Sequence, residues 1–423
     1  EVLFEKPEKQ FSKGKYHKVA KKLKKFRKKT VPRVYNNDSA MYALANIMEA
    51  KAMEAMRSFQ KMDQLVSRAI RQLEQRKDQN AFAYATGMIK LVDLYNEYGN
   101  YRKADSLLNL LKEYKIAYET SEVLKTEIDI RDVLIRINNG FYVESEPEVK
   151  ALIEKWPTLL EQGYNGEQID DLDREYRTEL LGILYVAEIN IATWRGEYNK
   201  AQELHDNRRS FFNRINNKSP AYFKYRLAEI EITFESGDWN RARRLNSNYT
   251  YGKLIGKYKE IGIENEILIE ARRDRIDNSK SAVLQLVKHM NKHKVKKEFL
   301  NFKRDYYETF IVLNEDNIKD GWGRLGKLLN TSRSIVPDDH PTRTLLSELA
   351  IKHALESGKY MYQGSASQYF DQLGLTTSLR FVDNSLFKHV YDIALGGYYL
   401  NYTETPVKAY EIFKKEPESH VFN

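Results

Sequence analysis

The sequence contains no cysteine. That removes disulfides, zinc–thiolate sites and a cysteine nucleophile together. It also mildly suits an oxidising compartment, where stray thiols are a hazard, so periplasm or cell envelope is the expectation for location. The chain begins at Glu1 rather than Met, which is expected of a processed protein or of a segment of a longer one. Proline and glycine are sparse, nine and twenty in 423 residues, so little interrupts long helical stretches. No apolar run reaches the ~18 residues of a membrane-spanning helix, and no charged end leads into an apolar centre as in a signal peptide. No convincing strand pattern is present either.

What is there is charge and helical periodicity. The length exceeds one ordinary compact domain, so two or three domains or an elongated array are the natural alternatives. An apolar content of 42% is enough to build a core, while 30% charged residues speak against a membrane protein. Residues 12–33 carry eleven Lys and Arg and no acid; against a formal net charge of +9, the remainder is net acidic by two. The basic balance belongs to one stretch, unlike the distributed charge of a nucleic-acid binder, so nucleic acid is disfavoured as a partner.

Apolar residues recur at three and four over 41–76, 82–98, 103–136, 177–195, 199–213, 221–236, 241–247, 261–276, 280–293, 299–313 and 344–356, which predicts an all-α fold. Four stretches share a pattern: "LVDLYNEYGNYRKADSLL" (91–108), "EINIATWRGEYNKAQEL" (188–204), "EIEITFESGDWNRARRL" (229–245) and "ELAIKHALESGKYMYQG" (348–364). A helix ends in Gly, one residue follows, then an aromatic, and in the first three a small Ala: Gly99/Tyr101/Ala104, Gly196/Tyr198/Ala201 and Gly237/Trp239/Ala242. Gly358/Tyr360 and Gly14/Tyr16/Val19 extend it. Glycine takes the turn, the aromatic is expected in the wedge between the helices, and the small residue lets them approach. Such a hairpin cannot bury both faces alone, so it stacks on its neighbours.

These residues resemble the tetratricopeptide repeat, whose signature continues with a Leu and a Tyr in the first helix, as Leu91 and Tyr95 do here. Small-residue anchors at 201, 242, 282 and 321 lie 41, 40 and 39 apart, longer than the roughly 34-residue norm. Further units fall around Gly358 and Ala409. The stretch 336–360, with His340-Pro341 ahead of a helix, resembles the long repeats of kinesin light chains and of bacterial scaffolds fused to caspase-like proteases. The resemblance implies an α-solenoid of stacked antiparallel helical hairpins, about nine repeats. Residues 1–140 and 177–423 are expected to be repeats, and 141–176, rich in Gly, Pro, Asn and acids, an irregular repeat or bend. The hairpin at 41–76 lacks the Gly–aromatic pair.

The resemblance also implies a partner-binding groove lined by the first helices, for a protein or extended peptide. Counting back from each turn glycine, the lining positions are Asp93, Asn96 and Glu97; Asn190, Thr193 and Trp194; Glu231 and Phe234; and Lys352 and Glu356. Asparagine can pair with both N–H and C=O of an extended backbone. The Lys-and-Asn clamp for a C-terminal carboxylate found in chaperone cofactors is not reproduced. The role implied is a non-catalytic scaffold or adaptor. Two rivals stand beside it: a sensory or regulatory arm of a larger enzyme, such as a caspase-like protease whose catalytic domain lies outside this chain, and a binder of anionic surfaces or nucleic acid through the basic stretch.

Catalytic motifs are weak. "GWGRLG" (321–326) spells GxGxxG but follows a helix and turn rather than a strand, so it is expected to be part of a repeat. His289 and His293 share a helix face, yet no Glu stands beside the first, and a solvated face is expected. "DDLDRE" (170–175) lacks the Gly of a calcium loop and sits where a helix begins. No catalytic residue, cofactor or metal is expected. Within "KGKYHKVAKKLKKFRKK" (13–29), Tyr16, Val19, Leu23 and Phe26 make one apolar face, and Lys18, Lys21, Lys22, Lys24, Lys25, Lys28 and Lys29 form a basic patch around it. This is expected to be the second helix of the first hairpin, a soluble cap that attracts an acidic partner.

Overall fold

A computed structural model describes residues 4–336 apart from 37, 115–120, 139–140, 165–168 and 316–317, together with 346, 407 and 410. Among them there are sixteen helices and no strand. In chain order these are α1 (Glu5–Ser12), α2 (Tyr16–Lys25), α3 (Ser39–Ala55), α4 (Phe59–Glu74), α5 (Ala81–Tyr98), α6 (Tyr101–Glu113), α7 (Glu122–Asn138) and α8 (Tyr142–Lys155). Then come α9 (Asp171–Trp194), α10 (Tyr198–Phe212), α11 (Pro220–Glu235), α12 (Trp239–Gly252), α13 (Gly256–Arg272), α14 (Ile276–Lys292), α15 (Lys297–Asn314) and α16 (Ile318–Ile335). A π turn, Phe26–Thr30, and a short helical turn, Val31–Val34, continue α2. No helix among the described residues is long and apolar enough to cross a membrane.

The turn motif works by a division of labour. Gly99 closes α5 in the left-handed region at φ 81°, and the Asn100 N–H reaches back to the Tyr95 carbonyl at 2.9 Å. Asn100 then caps α6 by accepting from the Lys103 N–H at 3.1 Å, and Tyr101 opens the helix. Gly237 and Asp238 repeat this before α12. The Ala that follows, Ala104, Ala201 or Ala242, is fully buried. The aromatic fills its wedge at Tyr16 and Phe59 but not at Trp239: residues 235–241 are all exposed, so that turn projects beyond its neighbours and leaves the indole at the surface.

Where glycine is missing, other residues take the left-handed turn. Arg57 (φ 56°) joins α3 to α4, and Asp274 (φ 53°) joins α13 to α14. Counting from Asp274, the small residue corresponding to Ala201 and Ala242 is Ser279, not Ala282, which is buried almost one helical turn further on. The expected continuous stretch 103–136 is also two helices. Tyr114 leaves helical geometry after α6, with its hydroxyl donating to the Lys77 carbonyl at 2.7 Å and its ring edge-on to Tyr84. Those tertiary anchors override the helical periodicity. "GWGRLG" lies inside α16, where a Cβ on Gly321 would run into Leu313 of α15; it is a close helix crossing and not a phosphate loop.

Each helix packs on the next in sequence, and short turns make the pairs antiparallel. Odd-numbered helices from α3 to α15 also touch the next odd helix, with no comparable contact between even ones. Odd helices therefore form an inner layer and even helices an outer one. Within 141–176, α8 packs on both α7 and α9, so the stacking runs through it. The expected units around Gly358 and Ala409 lie outside the described residues. In the first pair, α2 buries Tyr16, Val19, Ala20 and Leu23 against Phe4, Ala45 and Ala52 and turns its lysines outward.

The early hairpins then meet the late ones. The Met56 carbonyl accepts from the Lys296 N–H at 3.1 Å, Phe59 packs edge-on against Phe299, and Arg57 bridges to Glu260 at 3.5 Å while lying over the Phe299 ring. His293 Nδ1 donates to the Gly14 carbonyl at 2.8 Å, and His289 Nε2 to that of Gly256 at 3.3 Å. The two histidines are thus half-buried connectors rather than a solvated face. Burial, helped by His293, pushes the His289 imidazole down to about 4. One apolar cluster consequently spans α3–α7 and α13–α16.

Arg57 sets backbone strain against tertiary bonding. Replacement by glycine removes a left-handed penalty of about 1 kcal/mol and also the guanidinium that holds Glu54, Glu260 and Phe299. Charge-assisted bonds of this kind contribute about 1.5–3 kcal/mol. Arg57→Gly should therefore lower unfolding free energy by about 1–2 kcal/mol in chemical denaturation; a stabilised variant would mean that strain outweighs the bridge.

Candidate binding face

The inner layer brings charged residues from distant helices together. Helix α3 supplies Lys51, α5 supplies Asp93 and Glu97 one turn apart, and α7 supplies Glu127 and Arg131 in the same spacing. Tyr176 and Glu179 come from α9, Lys224 from α11, and Lys257 and Tyr258 from α13. The closure of α3–α5 on α13–α15 lets Lys257 Nζ donate to Glu97 Oε2 at 2.9 Å across 160 positions of sequence. Lys51 approaches the same oxygen at 3.6 Å.

This cluster is ringed by protein yet open to water, with 27% of the Glu97 side chain exposed. Burial alone would raise the Glu97 carboxyl, but Lys257 and Lys51 beside it win and hold it well below the usual carboxylate range. Glu97 in turn raises Lys51, and raises Lys257 against the cost of burial. Lys224 falls below its ordinary value because burial outweighs its acidic neighbours, and it makes no hydrogen bond or ion pair among the described residues. Glu179 is pushed up to about 7 by burial, against a hydrogen bond from the Ala221 N–H at 3.4 Å.

A second, drier network lies beside it. Arg131 is 1% exposed and grips Asp93 with two bonds, 2.8 and 3.0 Å. It also donates to the Glu127 carbonyl at 2.7 Å and to the Tyr176 hydroxyl. Burial raises the Glu127 carboxyl despite Arg131, Arg177 and the Tyr164 hydroxyl, which donates to it at 3.1–3.2 Å. Every charge in this network has a partner. It fixes the relative positions of α5, α7 and α9.

The positions expected to line a groove divide by location. Asp93 and Glu97 reach the two charged clusters. Asn96 accepts from the Asn138 amide at 2.9 Å, tying α5 to α7. Trp194 donates its indole N–H to Glu231 at 2.7 Å and packs on Tyr142. Burial raises the Glu231 carboxyl against that bond. Thr193 is buried, with its hydroxyl on the Ile189 carbonyl at 3.0 Å, and Phe234 packs against the core around α11. Asn190 is half-buried, and its amide has no hydrogen-bond partner among the described residues. Lys352 and Glu356 lie outside the described residues.

Counting back from glycines alone misses Lys51, Glu179, Lys224 and Lys257. Lys51 has a legible signal: it stands six residues before Arg57, as Asp93 stands six before Gly99. The other three are brought in where α9, α11 and α13 come to face α3 and α5, which no local spacing encodes. Among the described residues, no group of three or more His, Asp or Glu is placed to hold a metal ion. No protein-family model and no curated protein matches the chain.

Two measurements check this electrostatic picture. Arg131→Met leaves the Asp93 carboxylate without its cation, while Glu127 keeps Arg177 at 3.6 Å, and should cost about 3 kcal/mol of stability; a loss under about 1 kcal/mol would mean the network contributes little. Glu179 titrates near 7 in the fold and near 4.5 when unfolded, so the folded state binds the extra proton in between. Its contribution is fully present below pH 4.5 and is lost as pH rises through 7. Glu179→Gln should therefore gain on the parent between pH 5 and 8 in denaturation midpoints, and parallel curves would contradict the shift.

Proposed function

We propose that the chain is a tetratricopeptide-like α-solenoid acting as a scaffold or adaptor, with a protein or peptide partner seated along its inner layer. The observation that carries this reading is the composition of that layer. Five odd helices turn Lys51, Asp93, Glu97, Glu179, Lys224 and Lys257 toward a shared, water-accessible interior, where a closed core would have placed apolar side chains. Equal numbers of acids and bases favour a ligand with alternating polarity, such as an extended peptide backbone, over a strongly charged polymer. Two groups are free to receive it. The Asn190 amide can donate to and accept from a peptide unit, and the Lys224 ammonium can meet a carbonyl or carboxylate.

The test uses the full chain against a displayed library of random extended peptides. Asn190→Ala combined with Lys224→Glu should reduce enrichment of selected peptides at least tenfold. Leu284→Ala, on the outer surface of α14 with 69% of its residue surface exposed, should leave it unchanged. Equal retention by both variants would place the peptide elsewhere.

A further inference from the structure

Part of the basic patch, Lys21 and Lys24, borders an open pocket. Between α2, α3 and α4 lies a cavity of about 420 Å³, lined by Ala20, Lys21, Lys24 and Arg27 from the α2 side, Glu49 and Met53 from α3, and Lys61, Gln64, Leu65 and Arg68 from α4. That volume falls within the range of about 300–1,000 Å³ typical of small-molecule sites. Five cations face it against a single carboxylate. Arg27, carried on the π turn, is already committed to Glu49 and Asn46. Lys21, Lys24, Lys61 and Arg68 make no hydrogen bond or ion pair with an acid among the described residues.

The four unpaired cations are exposed, so the arrangement costs little when empty and favours an anion. Four like charges gathered around one concavity repel one another, and a concave, partly walled space focuses their field. Nothing in the packing of α2 requires it. The apolar face that holds the helix is Tyr16, Val19, Ala20 and Leu23, and neutral side chains at 21 and 24 would leave that face intact. The pocket also has an apolar floor, in Ala20, Met53 and Leu65. Cations at the mouth with an apolar wall behind fit a compact, multiply charged head group bearing a less polar remainder. Arg27, fixed by Glu49, is a pre-oriented fork at the inner end.

We infer that this cavity binds a small molecule carrying two or more phosphate charges, held by Lys21, Lys24, Lys61 and Arg68. The site shares α3 with the inner layer but uses Glu49 and Met53 rather than Lys51, so its existence does not depend on a peptide binding along that layer. Calorimetric titration of the full chain with inorganic pyrophosphate, at fixed ionic strength, is the test. A saturable one-to-one isotherm is expected, weakened at least tenfold by Lys24→Glu with Arg68→Glu. Lys28→Glu with Lys29→Glu makes the same change of net charge outside the pocket and should shift affinity less than about threefold. Should the first pair fail to fold, Lys21→Gln with Lys61→Gln, set against Lys28→Gln with Lys29→Gln, provides the charge-matched comparison. Equal weakening by both pairs would reduce the effect to net charge and overturn the site. So would no heat at millimolar pyrophosphate, or tighter binding of a polyglutamate peptide than of pyrophosphate.

Discussion

The junction between the Met56–Phe59 turn and the start of α15 holds the interior together. It combines a backbone hydrogen bond from Lys296, the Phe59–Phe299 ring pair and the Arg57 guanidinium reaching Glu260. Stacking of neighbouring hairpins would form without it, because each pair of helices buries its faces locally. What stacking cannot do is bring α3 and α5 opposite α13. Once that happens, Lys257 finds Glu97, and the lysines and carboxylates of five helices come to share one field. The same junction merges early and late apolar clusters into one.

The helical layout was legible in the sequence because its signals are local. A glycine with positive φ and a buried Ala occupy fixed positions five residues apart, with a capping side chain between them at Asn100 and Asp238, and Gly99, Gly196 and Gly237 all turn where the pattern places them. Misreadings arose where tertiary bonding replaced a local signal. Arg57 and Asp274 accept left-handed backbone without being glycine, Arg57 held by two carboxylates and a ring. Tyr114 ends a helix through a bond to Lys77 rather than through any breaker. His289 and His293 read as surface because their carbonyl partners sit on Gly256 and on Gly14, 279 residues from His293. The inner face was half legible for the same reason: helix spacing marks Asp93 and Glu97, whereas Lys224 and Glu179 join them only through the packing of helices far apart in sequence.

Charge is partitioned between two environments. Inside, acids and bases are matched, and the dry network around Arg131 locks three helices while leaving no cation to spare. Outside, on α2 and α4, cations accumulate without partners around a cavity. The net charge of the whole chain comes almost entirely from that outer surface, so ionic strength will act on the two regions differently: strongly on the exposed lysines, weakly on the enclosed pairs.

The lysine face of α2 carries one more consequence, for how the molecule meets its own kind. That face has no acid among residues 12–33. Two copies approaching through it repel over the Debye length before any apolar contact forms. Salt shortens that range, so concentrated electrolyte lets like faces draw nearer than dilute buffer does.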